Sequence, residues 1–154
     1  LMTRRSVTGI LIFLNNTPIR WICKRQKTVE SSTYGSELVA ARVATELILE
    51  TRYMLRSLGV NIDGPALLLG DNMSVVLNTS VPSSVLKKKH CAINYHRVRE
   101  AIAAKALRFA KVHTDDNLAD VLTKPLGRQP FHRLIKEYLF RSPKSIKDAR
   151  STDN

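Results

Sequence analysis

An α/β domain, with a mixed sheet flanked by helices, is predicted by three observations. Two β-branched apolar runs near the N-terminus are joined by a turn cluster, which is a hairpin signal. Long stretches with apolar residues at helical spacing then alternate with short apolar runs, so later strands return to the sheet by helical crossovers. The chain of 154 residues, 44% of them hydrophobic, is long enough to bury one core and too short to need two.

Val7 to Leu14 (VTGILIFL) is the first strand, and Ile19 to Lys24 (IRWICK) the second. Between them Asn15-Asn16-Thr17-Pro18 reads as a four-residue turn. Ser31-Ser32-Thr33 supplies cap-forming residues for a long helix from Tyr34 to Leu58, with Leu38, Ala41, Ala44, Thr45, Ile48, Tyr53, Leu55 and Leu58 on its inner face and Gly59 closing it. After the Gly64-Pro65 break, Ala66 to Leu69 is a short buried strand. Met73 to Asn78 is a short helix capped by Asp71 or Asn72.

Lys89 to Lys105 is a second long helix, with Ile93, His96, Val98 and Ile102 facing inward. Leu107 to Val112 alternates apolar and basic residues as a half-exposed strand does. Asn117 to Lys124 and Phe131 to Phe140 are the last helices, so the order is β, β, α, β, α, α, β, α, α. Trp21 and Tyr95, each in an apolar-periodic element, are expected in the core. Residues 1–140 form the domain, and 141–154 a polar tail.

Lys and Arg number 25 against 13 Asp and Glu, a formal charge of +12 that favours polyanionic partners, nucleic acid first. The basic residues cluster at element edges: Arg4 and Arg5; Lys24, Arg25 and Lys27; Lys87, Lys88 and Lys89. Such groups suit phosphate contacts, although a solvated loop has the same composition. Cys23 and Cys91 lie far apart without zinc-type spacing, so neither a metal knuckle nor a disulfide framework is indicated. There is no Gly-rich phosphate loop or nucleophile elbow, which leaves small-molecule chemistry without support. The apolar runs are far shorter than a membrane span.

Three carboxylates stand where strand ends and adjoining helices gather function: Glu37 early in the long helix, Asp71 after the Leu67-Leu68-Leu69 run, and Asp120 near a helix start. Each has an ordinary explanation: a first-turn acid, an N-cap, a solvated helix residue. Together they can converge at one sheet edge. Hard oxygen ligands suit Mg²⁺ or Mn²⁺, and two such ions about 4 Å apart activate water and stabilise the leaving oxygen in phosphodiester cleavage.

RRSVTGILIFLNNTPIRW, KRQKTVESSTYGSELVAAR, LLLGDNMSVV, KKKHCAINYHRVREAI and HTDDNLADVLTKPLG, in that order, strongly resemble the ribonuclease H region of copia-type (pseudovirus) retrotransposon polyproteins. The resemblance covers about Arg4 to Phe131. It implies a ribonuclease H-like fold and cleavage of the RNA strand of an RNA/DNA hybrid. Glu37, Asp71 and Asp120 would be catalytic metal ligands. The basic clusters would track phosphates, with Asn72 and Ser74 beside the metals to sense the 2′-OH. It further implies an upstream reverse transcriptase domain and an intracellular, cytoplasmic site in a virus-like particle.

This sequence departs from the family pattern in two ways. Relatives carry the first catalytic Asp in a strand before the Arg-Arg-Ser segment, whereas this chain opens at Leu1 with no carboxylate before Glu30, so that strand is expected to be missing. SSTYGSEL is also one residue longer than the usual SSTEAEY. The alternative to an active nuclease is thus a fragment that binds nucleic acid without cutting it, or a retroelement relic. His113, near the last carboxylate, is expected to be a strand-end surface histidine.

Overall fold

The computed structural model describes residues 5–27, 29–30, 32–86, 89–137 and 139. Arg4, Lys87, Lys88, Phe140 and the expected tail 141–154 lie outside the described residues. The elements follow the expected order: β1 (Val7–Leu14), β2 (Thr17–Arg25), α1 (Thr33–Ser57), β3 (Ala66–Gly70), α2 (Met73–Ser80), α3 (Ala92–Ala103), β4 (Leu107–Lys111), α4 (Asp120–Thr123) and α5 (Arg128–Ile135). Single 3-10 turns at Lys89–Cys91 and Thr114–Asp116 lead into α3 and α4.

β1 and β2 pair antiparallel through a turn shorter than expected, made by Asn15 and Asn16 alone. Asn15 has φ 54°, the left-handed conformation that asparagine tolerates better than most residues. Thr17 and Pro18 therefore belong to β2, with Pro18 opposite Phe13 at a register shift. Proline is accepted there because, among the described residues, β2 has a strand on one side only.

β3 and β4 pair parallel, as a strand–helix–strand crossover requires. The α/β class holds, but the strands form two separate two-stranded sheets, because no described strand joins the hairpin to the parallel pair. α1 packs against β1 and β3 alike and makes one body of the two. The core accordingly lies under α1: Leu38, Ala41, Ala44, Leu47 and Ile48 belong to one buried cluster with Ile10 and Ile12 of β1, Leu68 of β3 and Phe109 of β4.

The outer turns of α1 do not share this burial. Tyr53 and Leu58, expected inside, are 76% and 73% exposed. A helix of 25 residues runs roughly 37 Å, longer than a strand of five to nine residues, so its last turns pass beyond the sheets. In α3 the buried face is Tyr95, Val98 and Ala101; Ile93 and His96 fall on the opposite side, and Ile93 is 83% exposed. Tyr95 is core as expected, but Trp21 is 66% exposed. Trp21 and its partner Leu11 share the hairpin face opposite Ile10 and Ile22, away from α1.

Two polar anchors fix the frame. Gln26, buried just past β2, donates through Nε2 to Thr8 Oγ1 (3.0 Å) and to the Ser36 carbonyl (2.9 Å), tying the hairpin to the start of α1. Arg99 of α3 donates to the carbonyls of Asn78, Val81 and Pro82, holding the loop after α2.

Candidate metal centre

Each of the three candidate carboxylates comes from a different element. Glu37 is in the second turn of α1, whose start is set by Ser32: its Oγ accepts from the Gly35 N–H at 3.3 Å. Asp71 directly follows β3. The cap of α2 falls to Asn72, whose Oδ1 accepts from the N–H groups of Ser74 (3.1 Å) and Val75 (3.3 Å), so Asp71 is not used as a helix cap. Asp120 opens α4 and is only 7% exposed. Its Oδ1 accepts from Asn117 Nδ2 at 3.2 Å, and its Oδ2 from Lys124 Nζ at 2.8 Å.

Gly9 places α4. A Cβ at this residue of β1 would come within 2.5 Å of the Thr123 methyl and 2.9 Å of the Ala119 carbonyl oxygen. Only glycine lets the helix turn that carries Asp120 lie this close to the hairpin. Cys23, opposite Gly9 in the ladder, closes the same contact by donating to the Leu122 carbonyl at 2.9 Å.

The charges are coupled. Burial pushes the Glu37 carboxyl above its usual range; the negative Asp71 and Asp120 push it further up, while Lys124 pulls it back. Lys124 is held charged to higher pH than an ordinary lysine, first by its hydrogen bond to Asp120 and then by the charges of Asp120, Asp71 and Glu37. The three sequence-predicted carboxylates are thus near enough for their charges to act on one another, beside a lysine that carried no assigned role. Its signal in the sequence was the four-residue spacing from Asp120, which puts both on one side of a helical turn.

Carboxylate oxygens are the hard donors a divalent cation takes, and three carboxylates carry more negative charge than one lysine cancels. Taken one atom each, these oxygens do not all lie within 4.8 Å of one another. Bringing all three onto one ion would need their side chains to close in.

Of the candidate nucleic-acid contacts, Arg5, Lys24, Arg25, Lys27, Ser74 and Lys89 are exposed. Arg5, Lys24, Arg25 and Lys27 gather at the open end of the hairpin, where the Gln26 N–H donates to the Ser6 carbonyl and Val7 faces Arg25. Asn72 spends its side-chain oxygen on the helix cap, which the sequence left open between Asp71 and Asn72. His113 is an exposed strand-end histidine whose Nδ1 accepts from the Asp115 N–H at 3.3 Å. No helix of the described residues is long and apolar enough to cross a membrane.

Over 133 residues, 86% of this chain, the sequence is 34% identical to the retrovirus-related Pol polyprotein from transposon RE2 of Arabidopsis thaliana, of which the matched part is 9%. It is 35% identical over the same share to the corresponding polyprotein from transposon RE1 of that plant, again 9% of it. To the Pol polyprotein from transposon TNT 1-94 of Nicotiana tabacum it is 31% identical over 87% of this chain and 10% of that protein. The chain therefore spans about a tenth of the length of the curated relatives it matches. No protein-family model matches it, and no solved structure does.

Proposed function

From a chain homologous to one segment of retrotransposon Pol polyproteins, we propose a ribonuclease H-type function: cleavage of the RNA strand of an RNA/DNA hybrid, with Mg²⁺ or Mn²⁺ held by Glu37, Asp71 and Asp120. What supports it is the homology together with the placement of Glu37 in α1, Asp71 at the end of β3 and Asp120 in α4, near enough for the charges of the two aspartates to act on Glu37. In its parent polyprotein the segment would follow a reverse transcriptase domain, which makes the hybrid it consumes, inside a cytoplasmic virus-like particle.

The bound ions would activate water and stabilise the leaving oxygen. The chain's own residues do the rest. Asn117 holds Oδ1 of Asp120, so that this ligand is oriented before an ion arrives, while Lys124 competes with the ion for Oδ2. Lys124 keeps the acidic cluster from carrying its full negative charge when empty. The basic end of the hairpin, with Arg5, Lys24, Arg25 and Lys27, supplies phosphate contacts that hold a hybrid against the site without reading its sequence.

A second reading is favoured by the charge count. Three carboxylates and Lys124 leave a net charge near −2, which matches one divalent ion better than two. A chain that holds one ion would bind hybrids and cut them poorly or not at all.

Both are tested by incubating an end-labelled hybrid with the purified chain and with Asp71→Asn, in Mg²⁺ and in Mn²⁺. RNA-strand cleavage that disappears in the variant supports the nuclease. Salt-sensitive binding without turnover supports the one-ion binder, and turnover that survives in Asp71→Asn refutes both.

A further inference from the structure

Away from the carboxylate centre, the fold assembles a group of metal-ligating side chains that sequence spacing did not announce. Glu30 lies in the segment leading into α1, and His90 and Cys91 form the 3-10 turn that leads into α3. Their ligand atoms, a carboxylate oxygen, an imidazole nitrogen and a thiol sulfur, all lie within 4.8 Å of one another. His90 Nε2 stands 3.7 Å from Glu30 Oε2.

We propose that Glu30, His90 and Cys91 form a site for a tetrahedral soft-to-borderline divalent cation, Zn²⁺ being the natural occupant, that clamps the start of α1 to the start of α3. Zinc takes nitrogen and oxygen ligands at about 2.0–2.2 Å and thiolate at about 2.3 Å, so two ligands of one tetrahedral ion stand roughly 3.4–3.6 Å apart. The 3.7 Å between His90 and Glu30 needs a movement of only a few tenths of an ångström. A thiolate and a carboxylate together balance the charge of the ion. Three protein ligands leave a fourth position for water.

The surroundings suit a built site. Cys91 is 1% exposed, whereas the His90 side chain is 56% exposed, so the sulfur sits inside and the imidazole guards an entry path from solvent. The Glu30 side chain is 11% exposed, and its Oε2 occupies the space a side chain at Gly35 would fill, 2.5 Å from the position of that missing Cβ. Gly35 sits in the first turn of α1, where alanine would be the better helix former. Glycine there leaves the Glu30 carboxylate a seat over the helix start, aimed at His90 and Cys91. Magnesium would be rejected by the sulfur and nitrogen donors, which separates this site chemically from the carboxylate centre.

The test uses the purified full chain, stripped of metal and titrated with Co²⁺ as a spectroscopic stand-in and with Zn²⁺ against a chromophoric chelator. One equivalent of Co²⁺ should produce a thiolate-to-cobalt charge-transfer band in the near ultraviolet, bleached by Zn²⁺. Cys91→Ala should abolish the band. His90→Ala, an exposed change that leaves the core intact, should weaken Zn²⁺ binding by about 100-fold or more. Gly35→Ala touches no ligand but displaces Glu30, and should weaken binding by about tenfold. Asp71→Asn should bind Zn²⁺ and show the band as the parent does. Absence of the band in the parent chain overturns the proposal, as does a band that survives Cys91→Ala, or Zn²⁺ affinity unchanged in His90→Ala.

Discussion

Replacing Lys124 with methionine keeps most of the side chain's volume and removes its charge, so it isolates what the ammonium does in the acidic cluster. In the metal-free chain the Lys124–Asp120 pair is intermediate in burial: the Asp120 side chain is 10% exposed and that of Lys124 51%, at 2.8 Å. Exposed pairs contribute about 0–1 kcal/mol, and stranding a buried charge costs about 3–5 kcal/mol. A loss of roughly 1–2 kcal/mol is expected in EDTA, because Asn117 still donates to Asp120 and water reaches the lysine position. With a divalent ion the sign reverses. With Lys124 Nζ 2.8 Å from Asp120 Oδ2 and Mg²⁺–oxygen distances of about 2.1 Å, the ammonium would stand within about 5 Å of an ion on that oxygen, a repulsion of about 1.7 kcal/mol even at the dielectric constant of water, so Lys124→Met should bind Mg²⁺ about tenfold more tightly. Urea unfolding in EDTA and over a Mg²⁺ series measures both effects, and a cycle with Asp120→Asn apportions the pair. Stability and Mg²⁺ affinity both equal to the parent's would refute the role of Lys124 as counter-charge to the three carboxylates.

Leu38→Ala, at a fully buried position between α1 and the strands, should cost about 3–4 kcal/mol, read from urea unfolding. Gly9→Ala should destabilise the chain by about 1–3 kcal/mol and weaken Mg²⁺ binding as well, because the added Cβ meets the Ala119 carbonyl and displaces the turn that carries Asp120. The pH dependence follows from Glu37, whose carboxyl is raised by burial and then by Asp71 and Asp120. A raised folded-state pKa means that the folded chain holds this proton more tightly than the unfolded one. Its stabilising contribution is therefore complete below the ordinary glutamate pKa and is lost as pH climbs through the raised value. Metal-free stability should therefore fall as pH rises above the ordinary glutamate pKa, and Glu37→Gln should flatten the fall.

How far these properties were legible in the sequence depended on whether they were local. The hairpin, the order of elements and the cap at Ser32 are written in short-range patterns, and the structure keeps them. The three carboxylates could be named from their places at a strand end and in helix starts, but their convergence depends on Gly9 admitting α4 to the hairpin, a contact across more than half the chain. Burial was misjudged where a neighbour covers only part of a face or a helix end runs past it. Apolar periodicity gave Trp21, Ile93, Tyr53 and Leu58 the look of core residues, yet α1 covers one face of the hairpin only and its own last turns run past the sheets. Glu30 and Cys91 gave no metal signal, since zinc patterns are recognised by short spacings and these residues meet only when α1 and α3 pack.

A metal centre built from Glu37, Asp71 and Asp120 is tested most directly by Mn²⁺ binding to the purified chain, followed by electron paramagnetic resonance, because this readout does not require turnover. The parent chain should bind Mn²⁺ and release it to excess Mg²⁺. Asp71→Asn and Asp120→Asn should each lose most of that binding, and His90→Ala should keep it. Binding unchanged in both aspartate variants, or none in the parent chain, would contradict a metal centre at these carboxylates.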